Sequence, residues 1–111
     1  MSDPSKHHRF NKMRTIDRRD IKLADDNPRT ISKDARQRLK ATMKEIGLIQ
    51  PLIWNQRTGV QVSGHQRLSL LDEMERYTPG GDRSYTLEVA AVELDEKQER
   101  RMNVFLNNPS A

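Results

Sequence analysis

The 111-residue chain contains no cysteine. That absence removes disulfides, thiolate metal sites and thiol nucleophiles together, and it suits a reducing, intracellular compartment. No segment approaches the roughly 18 consecutive apolar residues of a membrane-spanning helix, and the N-terminus lacks the apolar stretch of a secretory signal. A cytoplasmic protein without membrane contact is the expectation. Large apolar side chains are scarce, with Leu, Ile, Val and Phe together numbering 23, just above the fifth of a chain below which disorder prevails at high net charge. The length suits one domain with one modest core. There is no Walker A string and no Cys/His spacing for zinc, so no metal site is expected.

The charge is unevenly placed. The net +4 is held by residues 1–19, with six Lys/Arg against two Asp/Glu, while residues 20–111 carry fourteen of each. Within that neutral remainder, residues 20–67 have nine basic and five acidic side chains, and residues 68–111 have five basic and nine acidic. An anion-binding surface should therefore draw on the first half.

Residues 1–14 hold too few apolar groups to pack and read as a mobile basic arm, leaving 15–111 as the domain. Ile16, Ile21 and Leu23 among charged neighbours suit short strand segments. Asp25-Asp26-Asn27-Pro28-Arg29 is turn chemistry, and the two adjacent acids more naturally cap a turn than bind a cation. A helix follows Ser32, with Ala35, Leu39, Met43 and Ile46 on one face and Gly47 as its stop. Its cations Lys33, Arg36, Arg38, Lys40 and Lys44 form an ordinary solvated face or, alternatively, a DNA-contacting one. Leu52, Ile53 and Trp54 after Pro51 suit a buried strand, and Asn55 to Gly59 make a hairpin connection to a second strand at Val60 to Ser63. A second helix from His65 or Gln66 turns Leu68, Leu71 and Met74 inward. After the loop at Thr78 to Asp82, Tyr85, Leu87, Val89 and Ala91 alternate as a strand. Asp95 and Gln98 form a capping box for a third helix, with Met102, Phe105 and Leu106 as its apolar face. These elements make a small α/β (α+β) domain with a short mixed sheet and about three helices.

The junction Ser63-Gly64-His65-Gln66-Arg67 runs from strand directly into helix. Such a turn presents free backbone N–H groups and the positive end of the helix dipole, Gly64 permits the sharp bend, and Arg67 offers a forked cation to phosphate oxygens. Arg29 is a second candidate. His65 is the one candidate general acid or base, the role an imidazole can take near neutral pH, without a carboxylate partner evident in the sequence. No complete catalytic constellation is legible.

Taken in order, Asn27-Pro28-Arg29, a helix, Gly47-Leu48-Ile49-Gln50-Pro51-Leu52-Ile53, and Ser63-Gly64-His65-Gln66-Arg67-Leu68 resemble the ParB N-terminal domain, also called the ParB/sulfiredoxin or ParB-like nuclease domain. The resemblance covers about residues 15–108 and is closest to phage and mobile-element members, which use Gly-His-Gln-Arg where chromosomal ParB proteins carry Gly-Glu-Arg-Arg. It implies nucleotide phosphates, of CTP or ATP with Mg²⁺, held by Gly64, His65, Gln66 and Arg67 with help from Arg29. The Gly47–Pro51 segment, including Gln50, would line the base and ribose. Sulfiredoxin chemistry needs a cysteine in this turn and is excluded. ParB CTPases continue their third helix into Glu-Asn-x-Gln-Arg, whereas the corresponding stretch here is Asn107-Asn108-Pro109, without the acid.

Three functions follow as alternatives: a nucleotide- or phosphate-binding module of DNA segregation or processing, a metal-dependent DNA nuclease, and a ligand-free accessory domain that binds a protein partner or a second copy. The helix-turn-helix that follows this domain in ParB proteins is not within the 111 residues. DNA contact would then be nonspecific and salt-dependent, through Lys12, Arg14, Arg18, Arg19, Arg36 and Lys40.

Overall fold

A computed structural model describes residues 12–24, 31–48 and 50–107. The expectations for most of the basic arm, for the turn holding Arg29, and for the end of the chain at Asn108 and Pro109 lie outside these residues. Strand β1 (Met13–Asp17) takes in Met13 and Arg14, which composition alone places in the arm. Then come helix α1 (Lys33–Ile46), strands β2 (Leu52–Asn55) and β3 (Val60–Ser63), helix α2 (His65–Glu75), strand β4 (Thr86–Val92) and helix α3 (Glu96–Asn107).

The strands form one mixed sheet in the order β1-β4-β2-β3. β1 runs antiparallel to β4 with Ile16 opposite Leu87, β2 runs parallel to β4 with Leu52 beside Val89, and β2 and β3 form the hairpin. Parallel pairing of β2 with β4 requires a crossover, and the β3 to α2 segment supplies it. The outer edge of β3 does not stay bare. Lys22 donates its N–H to the Gly59 carbonyl at 2.7 Å and accepts from Gln61 N at 2.8 Å, a one-residue bridge that covers the edge.

Ile16, Ile21, Leu52, Trp54, Leu68, Leu87, Val89 and Ala91 form the core. Trp54 satisfies its indole N–H on the Gly59 carbonyl at 2.9 Å, which lets the ring be buried without a stranded donor. The expected helix caps are present. Ser32 Oγ accepts from Ala35 N at 3.1 Å, and Asp95 and Gln98 exchange reciprocal bonds of 2.7 and 3.0 Å.

Two helix faces differ from expectation. Ile46 is 66% exposed and Phe105 60% exposed. α1 packs on α2, so only a narrow stripe centred on Met43 is covered. α3 lies along β3 and buries Asn103, while Glu99, one turn earlier, accepts from the fully buried Asn55 (2.8 Å) and from Thr58 (2.5 Å). A polar stripe therefore anchors α3, and Phe105 is rotated outward. Within α2, Leu70 is fully buried, a core position that the Leu68, Leu71, Met74 pattern does not include.

Candidate phosphate-binding turn

Gly64 opens α2 with φ +93°, in the left-handed region, and as a glycine it offers no side chain to cap the helix. Space demands glycine as well. A Cβ there would lie 2.8 Å from Leu52 Cγ and 3.2 Å from an Arg67 guanidinium nitrogen. The turn thus sits directly on core residue Leu52, brought beneath it by the β2/β3 hairpin. The first turn of α2 carries no acidic residue of its own to offset the positive helix end.

Arg67 is half-buried, and burial pushes its guanidinium below the ordinary arginine value. Its Nε is inaccessible and has no hydrogen-bond partner among the described residues. No carboxylate pairs with it there either, in contrast to Arg18, Arg19, Arg36 and Lys40. A desolvated cation without a counter-charge is costly, and it acts as a fixed attractor for an anion. Arg67 faces a cavity of about 260 Å³ with Leu39, Thr42, Met43, Gly47 and Gln50, so α1 and the segment after it wall the space beside the turn. Gln50 thus shares a cavity with Arg67.

His65 and Gln66 are turned to another side. They line a separate cavity of about 340 Å³ with Arg18, Gln61, Ser69 and Asp72 among others. Of the four residues that the sequence groups as one phosphate grip, His65 and Gln66 therefore line one cavity and Arg67 another. Gln61, absent from the sequence-derived site, is 1% exposed and donates to the Ser63 carbonyl at 3.2 Å. Its Oε1 finds no partner among the described residues, and a β-strand glutamine between two valines gives no signal of such burial.

The candidate DNA contacts divide likewise. Arg18 is 5% exposed, and its guanidinium grips Asp72 through two bonds of 2.8 and 3.0 Å and lies 4.5 Å from the Tyr77 ring centroid. Its charge is spent inside the fold, so it is not a surface contact. Tyr85 also donates to Asp72, at 2.6 Å; burial and then this bond push its phenol well above the ordinary tyrosine value, so it stays a donor. Arg14 lies 5.5 Å from the Trp54 ring centroid and donates to Gln56 at 3.0 Å. Arg36 and Lys40 converge on Glu73 at 3.7 and 3.4 Å, so they too are engaged within the fold. Lys12 and Arg19 are exposed. Among the described residues, no three His, Cys, Asp or Glu side chains are grouped as a protein metal site requires.

Among the described residues, the four-stranded mixed sheet with three helices matches the ParB-like α/β fold. Two solved structures are similar to this chain over most of its length. The C-terminally truncated chromosome-partitioning protein ParB of Caulobacter crescentus, complexed with CTP-gamma-S, matches 91% of the chain at 19% identity and a TM-score of 0.63. The Pnob8-like ParB-N domain matches 83% at 21% identity and a TM-score of 0.60. The chain spans 55% and 34% of the length of those two chains. The likeness at these identities is one of fold. No family model and no curated protein sequence matches this chain.

Proposed function

We propose that this chain is a nucleotide-binding module of DNA segregation or processing, of the kind carried by phages and mobile elements, and that the turn Gly64 to Arg67 holds the nucleotide phosphates. The observation that carries the reading is Arg67: a half-buried guanidinium with no carboxylate partner among the described residues, beside a helix N-terminus that opens on a glycine, facing a cavity. Phosphate meeting the part of the guanidinium that reaches the cavity supplies the missing negative charge. Leu39, Met43 and Gln50 then border the space left for the nucleoside of CTP or ATP. Mg²⁺ enters with the triphosphate rather than on protein carboxylates. The division of His65 and Arg67 between two cavities supports binding rather than hydrolysis as the role of the turn.

A thermal-shift screen of the four ribonucleoside triphosphates, with and without Mg²⁺, tests this. A ligand at about 100 times its Kd adds about 2.7 kcal/mol, which raises the Tm of so small a domain by roughly 10 °C. The shift disappears in Arg67→Ala. No shift with any nucleotide overturns the reading. The exposed cations Lys12 and Arg19 add weak, sequence-independent association with DNA, whose affinity falls steeply with salt.

A further inference from the structure

The contacts between α1 and α2 point to how anion affinity at this turn is set. Arg36 donates through Nη1 to Gln66 Oε1 at 3.4 Å, and Gln66 lies in the first turn of α2. Its other terminal nitrogen is 3.7 Å from Glu73 Oε2, the same oxygen that Lys40 Nζ approaches to 3.4 Å. Two cations one helical turn apart on α1 are therefore moored to one carboxylate on α2, with Arg36 also touching the turn proposed to hold phosphate. The mooring is loose. Both separations exceed a direct charge-assisted hydrogen bond, and the Glu73 side chain is 52% exposed, where ion pairs contribute little.

We infer that Arg36 and Lys40 are polyphosphate-binding residues held in reserve by Glu73, which competes with the bound anion for them. The inference rests on the phosphate reading of the turn. A triphosphate carries several negative charges and offers bidentate oxygens to Arg36, so it outbids a single half-exposed carboxylate. Arg67 binds whether or not Glu73 is present. Arg36 and Lys40 then rotate from Glu73 toward the turn, and Glu73 sets how much of their attraction is free. Discrimination follows from length: a polyphosphate anchored at Arg67 has further charged groups to offer Arg36 and Lys40, and a monophosphate has none.

Isothermal titration with inorganic tripolyphosphate and with orthophosphate tests this on the intact chain, with the fold of each variant checked by its thermal transition. Glu73→Gln tightens tripolyphosphate binding by about two- to fivefold, from the usual size of an exposed ion pair, and the gain shrinks as salt rises. Arg36→Ala with Lys40→Ala weakens it by about tenfold or more, since charge-assisted bonds to phosphate are lost. Adding Glu73→Gln to that pair gives no further gain, because the competitor has nothing left to compete for. Orthophosphate binding changes little in any of the three. Unaltered tripolyphosphate affinity in Glu73→Gln, while the parent chain binds and Arg67→Ala does not, overturns the competition and leaves the Arg67 reading standing. A parent chain that binds no polyphosphate overturns both.

Discussion

Replacing Arg67 by methionine should make the free protein more stable and abolish nucleotide binding in one step. Methionine matches the unbranched length of the arginine stem and keeps an apolar chain in the cavity that Leu39 and Met43 also line, while removing the guanidinium. The native arrangement leaves Arg67 Nε buried and unmatched, and no carboxylate among the described residues offsets the charge. Leaving a buried donor unsatisfied costs about 1–3 kcal/mol. Part of the guanidinium still reaches solvent, and methionine gives up some rotamer freedom, so the net gain expected is about 1 kcal/mol. For a domain of this size that raises Tm by roughly 4–6 °C. The assay is paired urea and thermal unfolding of the parent and Arg67→Met, each with and without the best nucleotide. The variant should unfold later than the free parent and show no ligand-dependent shift. A loss of 1 kcal/mol or more in the variant, or a ligand shift that survives, refutes the view that Arg67 is kept for an anion at the expense of stability.

Other consequences are open to measurement. Gly64→Ala combines a left-handed φ with a Cβ driven into Leu52, so chemical denaturation should register a loss of about 2–4 kcal/mol; an unchanged midpoint contradicts the packing described. Asp72→Asn leaves the Arg18 guanidinium buried without its counter-charge and should cost about 3 kcal/mol, discounted for the partial exposure of Asp72 and read by the same method. Asp17 accepts from the Ser84 hydroxyl at 2.5 Å and from the Arg19 amide, which hold its carboxyl below the usual range. A lowered folded-state value contributes stability that is present above the unfolded value, near pH 4, and is lost as pH falls through the folded value. Acid titration of unfolding should therefore show a shallower decline below about pH 4 in Ser84→Ala than in the parent; equal slopes remove Asp17 from the account.

Much of the fold is legible in residue order because the relevant signals are local. Ser32 and Gly47 bracket α1, Asp95 and Gln98 open α3, and the alternation of Leu87, Val89 and Ala91 marks β4, since capping and period depend only on near neighbours. Where that reading departs from the structure, the deciding contact is distant in sequence. Phe105 fits an apolar stripe by spacing, yet Asn55 and Thr58 bind Glu99 from the hairpin and set the rotation of α3. Arg18 looks like one more cation of a basic segment, and only the approach of Asp72 from α2, with Tyr77 and Tyr85 around it, turns it into a core residue.

The same division holds at the site. Residue order by itself determined the absence of thiol chemistry, the single small domain, the crowding of positive charge into the first half, and the glycine at a strand-to-helix junction with an arginine three residues on. These follow from composition and backbone preference, which need no partner. Only the tertiary structure decided that His65 and Arg67 face different cavities, that Arg67 has no carboxylate partner among the described residues where Arg18 has one, and that Arg36 and Lys40 lean on Glu73. The physical reason is that desolvation and ion pairing are properties of surroundings, and the packing of α1 on α2, with α2 against β2, creates those surroundings.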